Sequence, residues 1–378
     1  MSTPLPTICF LTGTLNAFAG AERMTAVIAN ALAERGYRVF VLSLWDRASV
    51  FPLHESVQHH ALFEQRPSFK RAYVSTVLGI RHFVREHGID VLIEVDTMLT
   101  LFTLPATSGM RVRRIAWEHC HFDEDLGRRA RRIARWLAGR YCRQVVVLTK
   151  RDRQRWMEAL RPRGRLICIP NPLPFPLPAT PAPRKNKTVL AMGRLVAAKG
   201  FDVLLHAWQQ VAREAPDWNL VIRGEGDERH ALTALVRQLG LEDSVSLPGI
   251  CRDTRQAYEQ ASVFCLSSRY EGFALVLIEA MAFGLPVVST NCETGPRELL
   301  RSGENALVVP VGDANALAQG LIQAMRGGKL PTAIGTHGRQ VASAYALDMI
   351  IADWDTLLAG ESLPAGGNLD STHHQSDS

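Results

Sequence analysis

The chain has 378 residues, enough for two domains of ordinary size. Its 47% hydrophobic and 21% charged residues are typical of a globular protein, and no apolar run is long enough for a membrane helix. The formal net charge is +6, but residues 111–165 hold 17 Lys and Arg against 6 Asp and Glu. The composition argues against a membrane-spanning protein and leaves a local basic surplus to explain.

The N-terminal segment and the cysteines indicate the compartment. Residues 1–7 lack a basic stretch followed by an apolar core and a cleavage site, so no signal peptide is expected. The seven cysteines are scattered and none forms a C-x-x-C pair, which favours buried reduced thiols over a zinc site or a disulfide framework. We therefore expect a cytoplasmic protein.

Short β-rich runs alternate with amphipathic stretches through the first part of the chain. Strands are predicted at 8–12, 39–44, 91–95, 114–117 and 145–148, and the spacing of apolar residues predicts a helix at 21–35. Such alternation is typical of βαβ units in a parallel sheet.

Seven prolines between positions 170 and 183 interrupt this pattern, since proline joins neither a helix interior nor a central strand. The alternation then resumes, with predicted strands at 189–192, 220–223, 245–247, 263–266, 287–289 and 307–309. Helices are predicted at 201–213, 229–239, 276–283 and 314–325. The predicted organisation is a Rossmann-like domain at 1–171, a Pro-rich linker at 172–187, a second such domain at 188–345, a helix at 346–360 and a disordered tail at 361–378.

Parallel sheets bind ligands beyond the carboxyl ends of their strands, so the loops at those ends matter most. Gly20 lies in the loop that leads into the first helix. A glycine there lets the backbone approach a ligand closely, and the amides at the helix start favour an anion. A purely structural turn is the alternative. Arg194 and Lys199 lie on the loop after the 189–192 strand. Two cations on one such loop suit a pyrophosphate, and two solvated surface cations are the alternative.

The strongest motif follows the 263–266 strand. Gly272 permits a sharp turn, and the backbone amides at the start of the next helix can donate to phosphate or sugar oxygens. Those amides belong to Gly272, Phe273, Ala274 and Leu275.

Two glutamates flank this helix start. Glu271 precedes it and Glu279 comes two turns later, so the carboxylates can lie a nucleoside-to-sugar distance apart. Each could bind hydroxyls, one set on a sugar and one on a ribose. A helix-start Glu and a surface Glu are the alternative, although Glu279 has apolar neighbours and would need a partner.

Two features of the first half are weaker. His119 stands at the end of the 114–117 strand, where it would face a ligand; a structural histidine is the alternative. Asp123, Glu124 and Asp125 resemble a D-x-D metal motif, but they stand at a predicted helix start, where acids cap amides. Capping is the favoured interpretation, so no metal site is expected.

Taken together, these residues resemble family 4 of the retaining glycosyltransferases, which have the GT-B fold. The resemblance covers most of 188–358 and, more weakly, 8–171. It rests on motifs in the family's order: the glycine loop at 19–22, His119, the pair Arg194 and Lys199, and the E-x7-E pair Glu271 and Glu279. Ala19 replaces the first glycine of the loop, which leaves Gly20 as the close-contact position. Residues 268–273, 279–286 and 294–296 look most like bacterial exopolysaccharide and lipopolysaccharide transferases of the amylovoran type.

The resemblance implies two doubly wound domains facing across a cleft, with a C-terminal helix crossing back to the first, acceptor-binding domain. It implies a hexosyltransferase that moves a hexose or N-acetylhexosamine from a UDP-sugar to a lipid-linked, lipopolysaccharide or exopolysaccharide glycan, without a metal or cofactor. The implied catalytic residues are His119 and Glu271. The implied donor-binding residues are Gly20, Arg194, Lys199, Gly272, Phe273, Ala274, Leu275 and Glu279.

The basic surplus suggests a further partner. A helix with an apolar stripe of Leu126, Ala130, Ile133, Leu137 and Tyr141 would leave most arginines outside the stripe, as in helices that lie on anionic membranes. The protein would then be peripheral on the cytoplasmic face of the inner membrane. A solvated arginine face is the alternative. Nucleic acid is not expected, since no recognised binding module accompanies the basic segment.

Three other functions compete. A UDP-sugar epimerase or hydrolase of the same fold would share the nucleotide site but need no acceptor. A dinucleotide-dependent oxidoreductase is disfavoured because residues 224–226 are only a fragment of the glycine fingerprint. A non-catalytic sugar-binding protein would normally be exported.

Overall fold

The structure is a computed structural model that describes residues 4–125 and 127–361. These residues form two compact units. The first comprises the chain up to Pro174 and from Leu347 onward, and the second is Phe175–Ala346. Each unit contains one open parallel sheet with connecting helices, so the α/β class with two Rossmann-like units is confirmed. The predicted tail, apart from Glu361, lies outside the described residues.

Seven strands form the sheet of the first unit: β1 (Ile8–Thr12), β2 (Val39–Trp45), β3 (Gln58–Phe63), β4 (Val91–Glu94), β5 (Arg113–Trp117), β6 (Gln144–Val147) and β7 (Arg165–Cys168). All pair in parallel, in the order β3-β2-β1-β4-β5-β6-β7. The chain runs outward from β1 to β3 and then returns to the other side of β1. The loops after β1 and β4 therefore diverge at a switch point, where doubly wound sheets bind ligands.

Helices connect these strands: α1 (Gly20–Glu34), α2 (Tyr73–Glu86), α3 (Thr100–Ala106), α4 (Arg129–Tyr141) and α5 (Lys150–Leu160). The crossovers from β3 to β4, β4 to β5 and β5 to β6 all move in one direction across the sheet. Because parallel crossovers are right-handed, their helices cover the same face. Accordingly, α2 packs against α3, and α3 packs against α4.

The last helix, α13 (Leu347–Ala359), belongs to the first unit. The ring of Trp354 meets that of Trp117 edge-on at a centroid distance of 5.0 Å, and both side chains are almost fully buried. Asp355 forms an ion pair at 3.0 Å with Arg35, the residue that follows α1. The expected return of a C-terminal helix to the first domain is therefore confirmed.

The second unit repeats the topology with six strands: β8 (Thr188–Met192), β9 (Asn219–Arg223), β10 (Val245–Gly249), β11 (Val263–Leu266), β12 (Val287–Thr290) and β13 (Leu307–Val309). Their order is β10-β9-β8-β11-β12-β13, all parallel, with the switch point between β8 and β11. Its helices are α6 (Phe201–Glu214), α7 (Arg229–Gln238), α8 (Thr254–Gln260), α9 (Leu275–Ala282), α10 (Pro296–Leu299), α11 (Ala314–Met325) and α12 (Lys329–Ser343).

The Pro-rich segment is attached to the second unit from Phe175 onward. Phe175 packs its ring against Phe283 at 5.5 Å, and Ala182 N donates to Phe283 O at 2.7 Å. Arg339 of α12 donates to Pro178 O. A segment without helix or strand is therefore fixed by ring packing and by backbone hydrogen bonds.

The strands with continuous apolar runs lie where the sequence predicts them. The elements that were not predicted are the edge strand β3, the strand β7 and the helices α2, α3, α5, α8, α10 and α12. β3 has a half-buried, polar-rich pattern. α12 contains Pro331, Gly335 and Gly338, which usually weaken a helix; yet a Cβ on Gly335 would lie 2.2 Å from Gly284 O, so this glycine permits close packing. Within the described residues, no helix combines the length and apolarity needed to cross a bilayer.

Candidate functional site

The loop after β8 depends on backbone contacts that only glycine permits. Leu195 N donates to Glu225 O at 2.9 Å. A Cβ on Gly224 would lie 1.8 Å from Gly193 O, and one on Gly226 would lie 2.3 Å from Leu195 O. These glycines let the β9 loop support the β8 loop, which explains the fragment that resembles a dinucleotide fingerprint.

The β8 loop also contacts the loop after β11. Gly200 has φ +60°, and a Cβ there would lie 2.2 Å from Ser267 O. Ser267 Oγ donates to Lys199 O at 2.9 Å. The two loops are thus joined at the switch point of the second sheet.

A polar cluster of Lys199, Ser268 and Glu271 occupies this position. Lys199 Nζ donates to Glu271 Oε1 at 2.6 Å and to Oε2 at 2.7 Å, and Ser268 Oγ donates to Oε1 at 2.5 Å. Thr294 Oγ1 donates to the Glu271 carbonyl. The Glu271 side chain is only 6% exposed, against 21% for Lys199. An ammonium has three donors, so Lys199 keeps at least one for an anionic ligand.

Arg194 is the second cation of the loop. Its side chain is exposed and, within the part of the chain that the structure describes, makes no hydrogen bond or ion pair. Lys199 is therefore fixed beside the cluster, whereas Arg194 is free to turn toward an anion on the same loop.

Arg269 has a structural role beside these groups. It donates to Asp202 of α6 through two nitrogens at 2.8 and 2.7 Å and to Ala197 O at 2.6 Å. Hydrogen bonds from Arg269 hold the pKa of Asp202 below its usual value. Sequence reasoning missed Asp202, Ser268 and Thr294, because an acid at a helix start and isolated hydroxyls are too common to signal a site.

The turn before α9 adopts a conformation that is unusual for its sequence. Ala274, the N-cap, has φ +58° and ψ +58°, the left-handed region that costs a non-glycine residue about 1–2 kcal/mol. Gly295 lies beneath this turn, and a Cβ there would lie 3.1 Å from Gly272 O and from Phe273 O. Phe273 is buried against the ring of Tyr345. The backbone of residues 272–275 is therefore held in a strained, supported turn at a helix start.

Replacing Ala274 by glycine should stabilise the protein by about 0.5–1 kcal/mol, because glycine adopts positive φ without a Cβ penalty. Urea denaturation followed by circular dichroism measures this change. Ala280→Gly is the matched control: the same substitution inside α9 should destabilise by about 1 kcal/mol or more. Equal destabilisation by both variants would contradict the strain at Ala274.

Glu279 lies on the second turn of α9 and is 1% exposed. Its immediate neighbours Ile278 and Ala280 are fully buried, so its carboxylate is placed inside the unit. The prediction that Glu279 is not a surface glutamate is consistent with this burial.

In the first unit, His119 follows β5 as expected. Its ring lies 4.3 Å from that of Trp117, and Nε2 is buried without a hydrogen-bond partner among the described residues. Burial lowers the pKa of His119 to about 4, and the nearby Asp96 opposes this only in part. The imidazole is therefore neutral near pH 7, and the described residues leave the hydrogen-bonding capacity of Nε2 unused.

An ion cluster of Glu118, Asp96, Arg131 and Arg135 adjoins His119. Arg135 Nε donates to Glu118 Oε2 at 3.0 Å, and Arg131 contacts both Glu118 at 3.3 Å and Asp96 at 2.9 Å. Glu118 is buried, and burial raises its pKa while the two arginines lower it. Sequence reasoning missed this cluster because its members come from three separate segments.

Two carboxylates of this cluster also belong to a group of possible metal ligands. Ligand atoms of Asp96, Glu118 and Cys120 lie within 4.8 Å of one another. Burial raises the pKa of Cys120 to about 12, so it is a thiol rather than a thiolate, and Arg131 already compensates both carboxylates. These donors fit an ion network better than a metal centre.

Gly20 is the first residue of α1 and is exposed. Its N-cap, Ala19, has an extended backbone and no side-chain cap, which leaves the first helix amides available. Gly20 and His119 follow β1 and β5, which β4 separates in the sheet.

Family models match both units. The model "Glycosyltransferase Family 4" matches residues 18–175, and the model "Glycosyl transferases group 1" matches residues 177–341. An uncharacterised glycosyltransferase of Haemophilus influenzae is 34% identical over 339 residues, which cover 90% of this chain and 96% of that protein. The chain is a family 4, group 1 glycosyltransferase.

Other relatives of this glycosyltransferase have more specific names. The amylovoran biosynthesis glycosyltransferase AmsD of Erwinia amylovora is 24% identical, with 90% and 95% of the two chains covered. An α-1,4-N-acetyl-D-galactosaminyltransferase of Campylobacter jejuni, named for a PP-undecaprenol-linked glycan, is 25% identical, with 93% and 98% covered. The predicted resemblance to bacterial polysaccharide transferases is therefore confirmed.

Among solved structures, the glycosyltransferase resembles HepE of Anabaena in complex with UDP and glucose. The TM-score is 0.79 at 20% identity, with 94% of this chain and 99% of HepE covered. This similarity confirms the GT-B fold.

The structure corrects the interpretation of the acidic run. α4 begins at Arg129, so Asp123 and Asp125 precede it and do not cap its amides as predicted. Asp123 instead pairs with Arg155 at 2.8 Å, and Asp125 pairs with Arg132 at 2.9 Å. The local excess of arginine turns these acids into ion-pair partners.

The predicted apolar stripe of α4 lies mainly on the outer face of the helix, so the alternative of a fully solvated arginine face is wrong for Arg131 and Arg135. Its buried face consists of Arg131, Ala134, Arg135, Ala138 and Gly139. Of the predicted stripe, Ala130, Ile133 and Tyr141 are exposed and Leu137 is half-buried, while Leu126 lies outside the described residues. The helix packs with this arginine-containing face inward because Glu118 and Asp96 form ion pairs with Arg131 and Arg135.

Proposed function

We propose that this glycosyltransferase is a retaining hexosyltransferase that uses a UDP-sugar. It would move a hexose or N-acetylhexosamine to a lipid-linked, lipopolysaccharide or exopolysaccharide glycan. The polysaccharide and PP-undecaprenol names of its relatives and the UDP bound by HepE support this proposal.

One observation carries the proposal for the donor. The cluster of Lys199, Ser268 and Glu271 lies at the β8–β11 switch point, with the free Arg194 on the same loop and the start of α9 beside it. Two cations and helix-start amides match a diphosphate, and a carboxylate beside them matches sugar hydroxyls. Pyrophosphate charge would thus be compensated by side chains, and we propose that no metal or cofactor is needed.

Each predicted site residue then has a role. Arg194, Lys199 and the amides of residues 272–275 would bind the diphosphate, and Glu271 would bind hydroxyls of the transferred sugar. Glu279 would bind the ribose. In the first unit, Gly20 would allow the backbone of its loop to approach the donor closely. The neutral imidazole of His119 would bind a sugar hydroxyl.

The proposed reaction proceeds on one face of the sugar. The bond between the anomeric carbon and the phosphate oxygen breaks, and a bond to the acceptor oxygen forms on the same side. The acceptor proton passes to the departing phosphate oxygen. Lys199 and Arg194 would stabilise the charge that develops on the leaving UDP.

Thermal shift and isothermal titration against UDP, GDP and ADP test the donor. UDP is expected to bind most tightly, and Arg194→Ala should weaken UDP binding about 10- to 100-fold, because a charge-assisted contact is lost. Arg326→Ala, a change at another exposed arginine of the second unit, should leave affinity unchanged. Equal binding by Arg194→Ala and the wild type would contradict the phosphate role.

Turnover distinguishes the reaction types. UDP release should require a glycan acceptor, and NMR of the product from an α-linked donor should show an α-linkage. UDP release or sugar interconversion at the full rate without an acceptor would instead identify a hydrolase or epimerase.

A further inference from the structure

The imidazole of His119 depends on its surroundings for its position. Its Nε2 is buried without a hydrogen-bond partner among the described residues, so no hydrogen bond from this atom fixes the ring. The ring lies beside that of Trp117 at a centroid distance of 4.3 Å, which limits its movement on one side. The place of the ring at the carboxyl edge of the first sheet is therefore set mainly by the backbone of residues 118–120.

The neighbouring residue Glu118 fixes that backbone. Glu118 N donates to Val146 O of β6 at 2.9 Å, and Glu118 Oε1 accepts from Cys120 N at 3.0 Å. The backbone is thus held before His119 by the sheet and after it by the Glu118 carboxylate. Because this second contact closes a loop of only three residues, a displacement of the carboxylate displaces the histidine.

Side chains from two other segments hold the Glu118 carboxylate in turn. Thr97, which follows β4, donates to Oε2 at 2.6 Å, and Arg135 of α4 donates to the same oxygen at 3.0 Å. Arg131 of α4 donates to Oε1 at 3.3 Å. The Glu118 side chain is 0% exposed. The loop after β4, helix α4 and the His119 loop therefore meet at one buried carboxylate.

Stability alone does not account for this arrangement. Replacing a buried ion network by apolar side chains of similar volume is often neutral or stabilising. A fully hydrogen-bonded network instead imposes one geometry, since each donor constrains the carboxylate in a different direction. Such a constraint is useful next to a side chain that has to meet a ligand, because functional geometry tolerates displacements of only about 0.5 Å.

We infer that Glu118 is a positioning residue, which sets the place of the His119 imidazole through its hydrogen bond with Cys120 N. The inference rests on the proposed function, in which His119 binds a sugar hydroxyl, and it names the residue on which that binding depends. Thr97 and Arg131 act on His119 only through the Glu118 carboxylate.

NMR of the histidine rings tests the inference without any substrate. In the full-length chain with isotopically labelled histidine, the signals of His119 are those that disappear in His119→Ala. The wild type should give one narrow set of ring signals for His119. In Glu118→Gln, which keeps the shape of the side chain but loses its charge, this set should broaden or split because the ring samples several positions.

Glu94→Gln is the matched control. Glu94 is also 0% exposed, accepts from Thr103 at 2.6 Å and pairs with Arg114 at 3.4 Å. Both substitutions neutralise a buried carboxylate of the first unit, so both should lower the melting temperature by similar amounts. Only Glu118→Gln should change the signals of His119. If Glu118→Gln does not fold, Thr97→Val takes its place, since it removes a single donor to the same carboxylate.

A double-mutant cycle in turnover shows whether Glu118 acts through His119. With the UDP-sugar that titration selects, Glu118→Gln should lower kcat about 10-fold or more and leave UDP affinity unchanged, because a displaced side chain slows the reaction without removing a diphosphate contact. The double variant Glu118→Gln/His119→Ala should be no slower than His119→Ala, since a positioning effect disappears with the residue that is positioned. A general structural loss would instead be additive.

Three results would overturn the inference alone: unchanged His119 signals in Glu118→Gln, an equal change of these signals in Glu94→Gln, or additive losses in kcat. Wild-type turnover by His119→Ala would overturn the proposed role of His119 together with the inference. UDP affinity tests the donor assignment of Arg194 and Lys199 separately. Failure of the positioning role is thus distinguishable from failure of the proposed function.

Discussion

Replacing Lys199 by methionine is expected to lower kcat/KM about 100- to 1,000-fold, the typical effect of removing one preorganised donor to a developing charge. Lys199 lies against Glu271 at 2.6 and 2.7 Å and would contact the leaving diphosphate. The substitution removes that contact and also leaves Glu271, 6% exposed, without its cation. Steady-state kinetics with the donor identified by titration, together with UDP affinity, measure the effect.

Lys187→Met provides the matched control in the same unit. Lys187 also forms an ion pair with a carboxylate, that of Asp217, but both side chains are more than half exposed. Its loss should change stability by less than about 1 kcal/mol and leave turnover unchanged. If Lys199→Met kept wild-type UDP affinity and turnover while still folding, Lys199 would be a purely structural partner of Glu271.

Replacing Arg135 by methionine should destabilise the protein by about 3–5 kcal/mol, since it removes one partner of a buried ion network. Arg135 holds Glu118 at 3.0 Å and donates to the carbonyls of His121 and Glu124. Both ionic side chains are almost fully buried, at 3% and 0% exposure. The midpoint of urea denaturation, followed by intrinsic fluorescence, measures the loss.

Two comparisons identify the cause of that loss. Adding Glu118→Met to Arg135→Met should recover a large part of the stability, because no uncompensated buried charge remains. Arg155→Met removes an arginine from a pair with Asp123, whose side chains are 37% and 42% exposed, and should cost less than about 1 kcal/mol. A double variant as unstable as Arg135→Met would show that packing, rather than the ion pair, dominates.

Most of the strands, and the loops that form the candidate site of the second unit, could be predicted from the sequence. Buried parallel strands have continuous apolar sequences, so β1 and β11 begin and end where predicted, as does the half-buried apolar strand β13. Lys199 and Glu271 belong to loops that topology alone brings to one edge, which made their proximity predictable.

The orientation of α4 could not be predicted in the same way. A periodic pattern identifies an apolar stripe but not whether the core or the solvent faces it, because it contains no information about carboxylates that follow other strands. Asp96 and Glu118 determine the orientation by binding Arg131 and Arg135, which places the arginine-containing face inward. The left-handed backbone of Ala274 could not be predicted from the sequence either. Alanine is an ordinary helix residue, and its dihedral angles here are set by the surrounding turn.

The position of α13 has a consequence for how the chain is made. The first unit consists of the chain up to Pro174 and the segment from Leu347, so its two parts are separated by the whole of the second unit. Trp117 obtains its partner Trp354 only after the whole of the second unit has been synthesised. On the ribosome, the second unit can therefore complete its core before the first one does. A shortened chain that ends before Leu347 would leave a tryptophan of the first unit uncovered.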